Sequence, residues 1–357
     1  MFPAVALTIS LCGVAALAAP APPSTPSGGQ GLNSTPEYVS MSDYDFQSLN
    51  LGLNQEYLEL FLFQDGLDKF SAQEFEDAGL TPEDQSLVEY MRLQEVGHAE
   101  FLTNILGANA SKPCNYSFPF NTVQEFISLS QKVTRVGESA AYGFLEHLDS
   151  RAVGSVLGQA IAVEGRQQMA FRQFAGLFPF PFWFIPTITQ SMAWTLGAGF
   201  ITSCPSSNPK VEWQLFPSLN ATTGSNGTIN GTAPVPAITT NATALTTPGQ
   251  SVNLSWDLPG EQAGPDLAYN TTTLAGEPKF AAWISQLNVT YTPLTNVTNT
   301  SATTTQPDTQ IYGEDSIQTV NGTVFVLVTD SDLFLTPYNL SLIDPHVVAG
   351  PALYGAG

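Results

Sequence analysis

Positive charge is what this chain lacks most: ten lysines and arginines face thirty-one acidic residues among 357, for a net charge of −21. A surface of that sign repels phosphate backbones and anionic lipid, which excludes nucleic acid and an acidic membrane face as partners. Cysteine is scarce as well, with Cys12, Cys114 and Cys204 alone. Beyond the first twenty residues, uninterrupted apolar runs of membrane-spanning length are missing too. The longest candidate, GLFPFPFWFIPTITQSMAWTLGAGFIT, is broken by Pro179, Pro181 and Pro186 and carries Gln190 in its second half. It predicts a packed loop followed by a short buried helix, and no transmembrane segment.

What is present begins with MFPAVALTISLCGVAALAAPAPP, an uncharged apolar stretch ending in small residues at Ala16, Leu17 and Ala18. That pattern predicts a secretory signal peptide over residues 1–19, followed by a Pro- and Gly-rich segment over 20–40. Asn-x-Ser/Thr acceptor sites agree with secretion. They stand at Asn33, Asn109, Asn115, Asn220, Asn226, Asn230, Asn241, Asn253, Asn270, Asn288, Asn296, Asn299, Asn321 and Asn339. All but the first three follow residue 215, so that half is expected to be heavily exposed. Removal of Cys12 with the signal leaves Cys114 and Cys204, which in an oxidising compartment predict one disulfide; two separate buried thiols are the alternative.

The sequence changes character after residue 204. A linker rich in Ser, Thr, Asn and Pro is expected over 205–250, and a β-rich domain over 251–357. SVNLSWDL alternates apolar residues, while LNVTYTPL and GTVFVLVTD are β-branched runs bounded by turn residues, as antiparallel strands of a sandwich would be. That half shows no repeat and no catalytic motif, and reads as a glycosylated packing or spacer module. Residues 41–204 show helical spacing instead. Four long helices are expected over roughly 43–69, 82–107, 122–148 and 150–176, with starts at Asp43 and Thr81-Pro82 and a stop at Gly107. The short HLDSR connection makes the last two antiparallel neighbours. The fold class expected is therefore α+β, a four-helix bundle followed by an antiparallel β domain.

Polar residues interrupt the apolar seams of these helices at a common level. The first seam runs Phe46, Leu49, Leu53, Glu56, Leu60, Phe63, Leu67; the second Leu87, Met91, Glu95, His98, Leu102, Ile105. The third, less regular, holds Thr134, Glu138, Ala141 and Leu145, and the fourth holds Val153, Leu157, Ala160, Glu164, Gln167, Phe171 and Phe174. Residues three apart lie about 60° apart around a helix, so Glu95 with His98, and Glu164 with Gln167, can address one centre. Burying such carboxylates uncompensated costs several kcal/mol each, and a cation removes that cost. One Glu from each of two helices and Glu-x-x-His from each of the other two is a pattern that binds paired iron or manganese ions. Here Gln167 stands where the second histidine belongs, and a neutral amide oxygen is the poorer ligand. A pair of ions, a single ion and a metal-free polar network all remain open. Glu59, whose row Gly52, Gln55, Glu59, Leu62, Gly66 reads as a flank, ranks second as a ligand. Glu100 and His147 read as solvated.

On the segments LNLGLNQEYLELFLFQDGL, QEVGHAEFL, RVGESAAYGFLEHLDSR and AVEGRQQMAFRQFAGLFPFP, the chain resembles the fungal ferritin-like proteins named for stress response and sexual development, secreted relatives of the desiccation-related group. AAWISQLNVTYTPL and DLFLTPYNLSLIDPHVVAGPALYGAG extend the resemblance through the C-terminal half. It implies a ferritin-like fold, expression under starvation or development, and an extracellular or wall-associated location; it brings no enzymatic activity with it.

Three functions from different classes follow. The first is a secreted N-glycoprotein binding iron or manganese through Glu56, Glu95, His98, Glu138 and Glu164 with Gln167 in or beside the ligand set, and carrying oxidase or peroxide-scavenging chemistry. The second is a non-catalytic cell-wall stress glycoprotein with a degenerate metal site. The third is a binding module for wall polymers in the C-terminal half.

Overall fold

A computed structural model describes residues 41–223, 236, 244–310 and 318–356. The signal peptide, the segment 20–40, much of the 205–250 stretch and the acceptor sites Asn33, Asn226, Asn230 and Asn241 lie outside the described residues.

Among the described residues six α-helices form in chain order: α1 (Asp43–Lys69), α2 (Ala72–Asp77), α3 (Pro82–Leu106), α4 (Val123–Leu145), α5 (Arg151–Phe174) and α6 (Gln190–Ala198). Their starts are chemical. Ser42, Thr81, Thr122, Ser150 and Thr189 each accept a hydrogen bond from a first-turn backbone N–H, satisfying a donor that the helix itself leaves open. Gly107 closes α3 at a φ of 62°, a conformation that costs glycine little. The short helix α2, absent from the sequence reading, has a full capping box between Ser71 and Glu74 and buries Phe75. The broken apolar run becomes a loop leading into α6, whose Met192, Ala193 and Trp194 are buried. Among the described residues no helix is long and apolar enough to cross a membrane.

The strands are β1 (Asn115–Tyr116), β2 (Ile201–Ser203), β3 (Leu219–Thr223), β4 (Ser251–Trp256), β5 (Gln262–Ala263), β6 (Tyr269–Asn270), β7 (Phe280–Ser285), β8 (Asn288–Pro293), β9 (Ser301–Thr305), β10 (Gly322–Thr329) and β11 (Val347–Ala356). All pairings among them are antiparallel: one sheet has the order β11-β10-β7-β8, another β3-β4-β9, and β1-β2 and β5-β6 are two-stranded ribbons. The chain is α+β, as the pattern of periods predicts. Cys114 and Cys204 form the expected disulfide beside the β1-β2 ribbon.

The four-stranded sheet is a wall shared by two cores. Side chains alternate across a strand, so Val324, Val326 and Val328 of β10 pack with Trp283, Leu254 and Trp256 between the two larger sheets. Phe325 and Leu327, pointing the other way, join Ile284, Phe63, Phe171 and Met192 in the core of the helices. Every residue of β10 is buried, which explains why GTVFVLVT is a continuous apolar run where a half-exposed strand would alternate.

Candidate metal centre

Helix α1 is packed on more than one side, with Leu49, Leu51, Leu53, Leu58, Leu62 and Phe63 all buried. Any carboxylate on its middle turns is therefore inside. Glu56 retains 6% exposure and Glu59 none, so Glu59 belongs to the interior and not to the flank its row suggests. A flanking row lies outside the interior only where one stripe of a helix is buried, and α1 is buried on more than one side.

Helix α3 brings Glu95 and His98 to the same level. Its buried line is Val88, Met91, Glu95, Ala99, Leu102 and Leu106, whereas Leu87 is 47% exposed. The seam is thus shifted by one residue at its ends, and its centre holds. His98 Nδ1 lies 2.9 Å from Glu95 Oε2 and 3.2 Å from Glu56 Oε2. One ligand atom from each of Glu56, Glu95 and His98 falls within 4.8 Å of the other two, and so these three residues make a cluster able to hold a metal ion. Glu100 is exposed, and His147 lies just beyond the end of α4, both as expected.

Helix α5 supplies Glu164 and Gln167, which are 3% and 2% exposed. Gln167 Nε2 donates to Glu95 Oε1 at 2.5 Å and to Gln94 Oε1 at 3.1 Å. Its own Oε1 and the Oε2 of Glu164 are buried acceptors with no hydrogen-bond partner. Leaving such atoms unpaired costs about 1–3 kcal/mol apiece, more for a charged group. Glu59 is better provided: Thr134 Oγ1 donates to Oε2 at 2.8 Å and Gln55 Nε2 to Oε1 at 3.0 Å. Gly137 makes room for it, since a Cβ there would sit 2.4 Å from Glu59 Oε1. A cavity of about 20 Å³, lined by Glu56, Glu164, Gln55 and the apolar faces of Ala140, Phe144 and Ala160, adjoins the carboxylates. It has room for about one water-sized guest.

Helix α4 supplies Glu138, and here a cation is already built in. Arg135 Nη1 lies 2.5 Å from Glu138 Oε2, with both side chains 2% exposed. The guanidinium also donates through Nη2 to Gln168 Oε1 at 3.3 Å and lies over the ring of Phe182. Gln168 is fixed in turn by Gln131, which accepts a hydrogen bond from Thr323 of β10. Arg135 escaped the sequence reading although the three-residue spacing to Glu138 on a helix was its signal.

The protonation equilibria report what this interior favours. Burial pushes the Glu56 carboxyl up to about 7, against the pull of His98. Burial, reinforced by the charges of neighbouring carboxylates, drives Glu59 and Glu164 well above the usual range. Burial alone would lower His98, but its hydrogen bonds to Glu56 and Glu95 and their charges outweigh that and raise it to about 11. Each shift has the same sense: the site takes up positive charge. Four carboxylates with an imidazole, two orphaned acceptors and an adjoining small cavity make a donor set that fits a hard or borderline metal cation.

The sequence comparisons agree with this architecture. A family model described as a ferritin-like domain matches residues 44–177, which span the helices carrying all of these groups. Protein rds1 of Schizosaccharomyces pombe is 49% identical over 346 residues, an alignment that covers 93% of this chain and 86% of that protein.

Proposed function

The chain belongs to the ferritin-like family of fungal stress-response proteins, and from that premise we propose that it is a secreted N-glycoprotein that holds iron or manganese inside its helical bundle. The observation that carries this reading is the meeting of Glu56, Glu95 and His98 from two helices, with the unpartnered Oε2 of Glu164 buried among the same carboxylates. Glu56, Glu95 and His98 would hold the ion, Glu164 and the free Oε1 of Gln167 would complete its surroundings, and Glu59 would balance charge from its fixed position on Thr134 and Gln55. Bound there, iron or manganese would supply one-electron chemistry toward dioxygen or peroxide. The protein's own part is to exclude bulk water, to keep His98 oriented between two carboxylates, and to leave the small cavity beside Glu56 and Glu164 for a diatomic or water-sized molecule.

Secretion draws support from the disulfide and from the described acceptor asparagines, none of which is buried. Asn321 is the poorest acceptor among them, because its Nδ2 is turned inward to Pro181 O at 2.8 Å. An extracellular or wall-associated role in stress or sexual development, with wall polymers as partners, completes the proposal.

Metal content of protein purified from its native secretion route, without chelator, tests the reading. Glu95→Ala and His98→Ala are expected each to lose the bound metal; unchanged content in both ends the proposal. A second reading, a non-catalytic wall glycoprotein with a degenerate site, is favoured by the way His98 alone bridges Glu56 and Glu95. Native protein free of metal would support that reading instead.

A further inference from the structure

We propose that the guanidinium of Arg135 is a built-in substitute for a second cation, so that each chain holds one metal ion and not a pair. This inference rests on the metal-binding reading above and adds its stoichiometry.

This chain departs in two places from the pattern that binds paired ions. A second ion would need an open carboxylate from α4 and a histidine from α5. Glu138, the α4 carboxylate, has Oε2 occupied by Arg135 Nη1. Gln167, in the histidine's place, has its amide N–H engaged by Glu95 and Gln94 and offers only a neutral oxygen. The two departures concern the same half of the centre. The other half, Glu56, Glu95 and His98, keeps its ligand atoms within 4.8 Å of one another.

Arg135 is also placed too firmly to swing aside for an incoming ion. Its Nη2 is held by Gln168, which exchanges hydrogen bonds of 2.8 and 2.7 Å with the side chain and backbone of Gln131. Gln131 Oε1 is anchored by Thr323 Oγ1 at 3.1 Å, on a strand of the sheet and not of the bundle. Phe182 covers the guanidinium face, with its ring centre 4.8 Å from Cζ. A side chain bound through both terminal nitrogens and stacked on one face is a fixed charge, and a fixed positive charge beside Glu138 repels a second dication at short range in a poorly screening interior.

The test is a count. Metal-free full-length protein is loaded with Mn(II), freed of excess ion, and read for manganese per chain and for its low-temperature electron paramagnetic resonance. One manganese per chain with the spectrum of isolated ions is expected. The double variant Arg135→Gln, Gln167→His is expected to approach two per chain, with a spectrum broadened by coupling between neighbouring ions. Two coupled ions per wild-type chain would overturn this inference and leave the metal-binding reading standing; none in either protein would overturn both. A folded double variant still holding one ion would remove Arg135 from the explanation. Should that variant fail to fold, the wild-type count decides the matter alone.

Discussion

Glu138 and Glu164 sit on the paired helices α4 and α5, both buried, and yet they meet opposite surroundings. Glu138 has the Arg135 guanidinium hydrogen-bonded to it at 2.5 Å, whereas Glu164, within reach of the same charge, has an oxygen with no hydrogen-bond partner and several carboxylates for neighbours. Asp344 makes an intermediate case: it accepts from Thr189 Oγ1 at 2.9 Å, and burial still raises it from 3.8 to about 6. The difference teaches where this fold has finished its electrostatics and where it has not. A carboxylate closed by arginine is architecture; one left with orphaned oxygens among its own kind is a place for something exogenous.

The comparison breaks most sharply at Arg135. Arg135→Ala strips the partner from a buried anion, and a loss of about 3–5 kcal/mol is expected in denaturant unfolding of the metal-free protein. Replacing both partners, Arg135→Leu with Glu138→Leu, should recover most of that loss; a double variant as unstable as the single one would show that packing, not pairing, is at stake.

Asp344 sharpens it next through pH. Its carboxyl is raised in the folded state, so folding holds the proton more tightly than the unfolded chain does. That contribution is complete below about pH 4 and disappears as pH climbs through about 6. Asp344→Asn is therefore expected to gain about 2 kcal/mol at pH 7 relative to wild type and to flatten the pH dependence across that window. Thermal unfolding at pH 4 and pH 7 checks it, and an equal effect at both would refute the sign.

The mildest perturbation is Gly137→Ala. The added methyl would meet Glu59 Oε1 at 2.4 Å, so the carboxylate must move off its Thr134 and Gln55 donors. A cost of about 1–2 kcal/mol is expected, along with weaker manganese retention than wild type if Glu59 balances charge at the centre. Retention equal to wild type would reduce Glu59 to a structural residue.

The helices were readable because two codes agree in them, the 3.6-residue spacing of apolar side chains and the capping residues at their starts. Glu56, Glu95, His98, Glu164 and Gln167 were readable for the same reason, since each interrupts a seam. The failures share one cause, that a seam shows only one direction of burial. Glu59 and Arg135 lie on faces covered by a third body, the neighbouring helix for one and the network leading to the sheet for the other. No periodicity within a single helix announces that cover. The strand pattern was clearer, yet nothing local in GTVFVLVT tells which alternate residues face helices and which face the second sheet. The hydroxyl of Thr323 reaching Gln131 is a long-range fact of the same kind.

A strand with interior on either side has a consequence for inheritance and for cleavage. With β10 seated between helices and outer sheet, release of the first two hundred residues would strip the helices of part of their own core. Proteolysis or truncation before β10 would lay bare Phe171 and Ile284 together, so the helices and the strands must be made and degraded together.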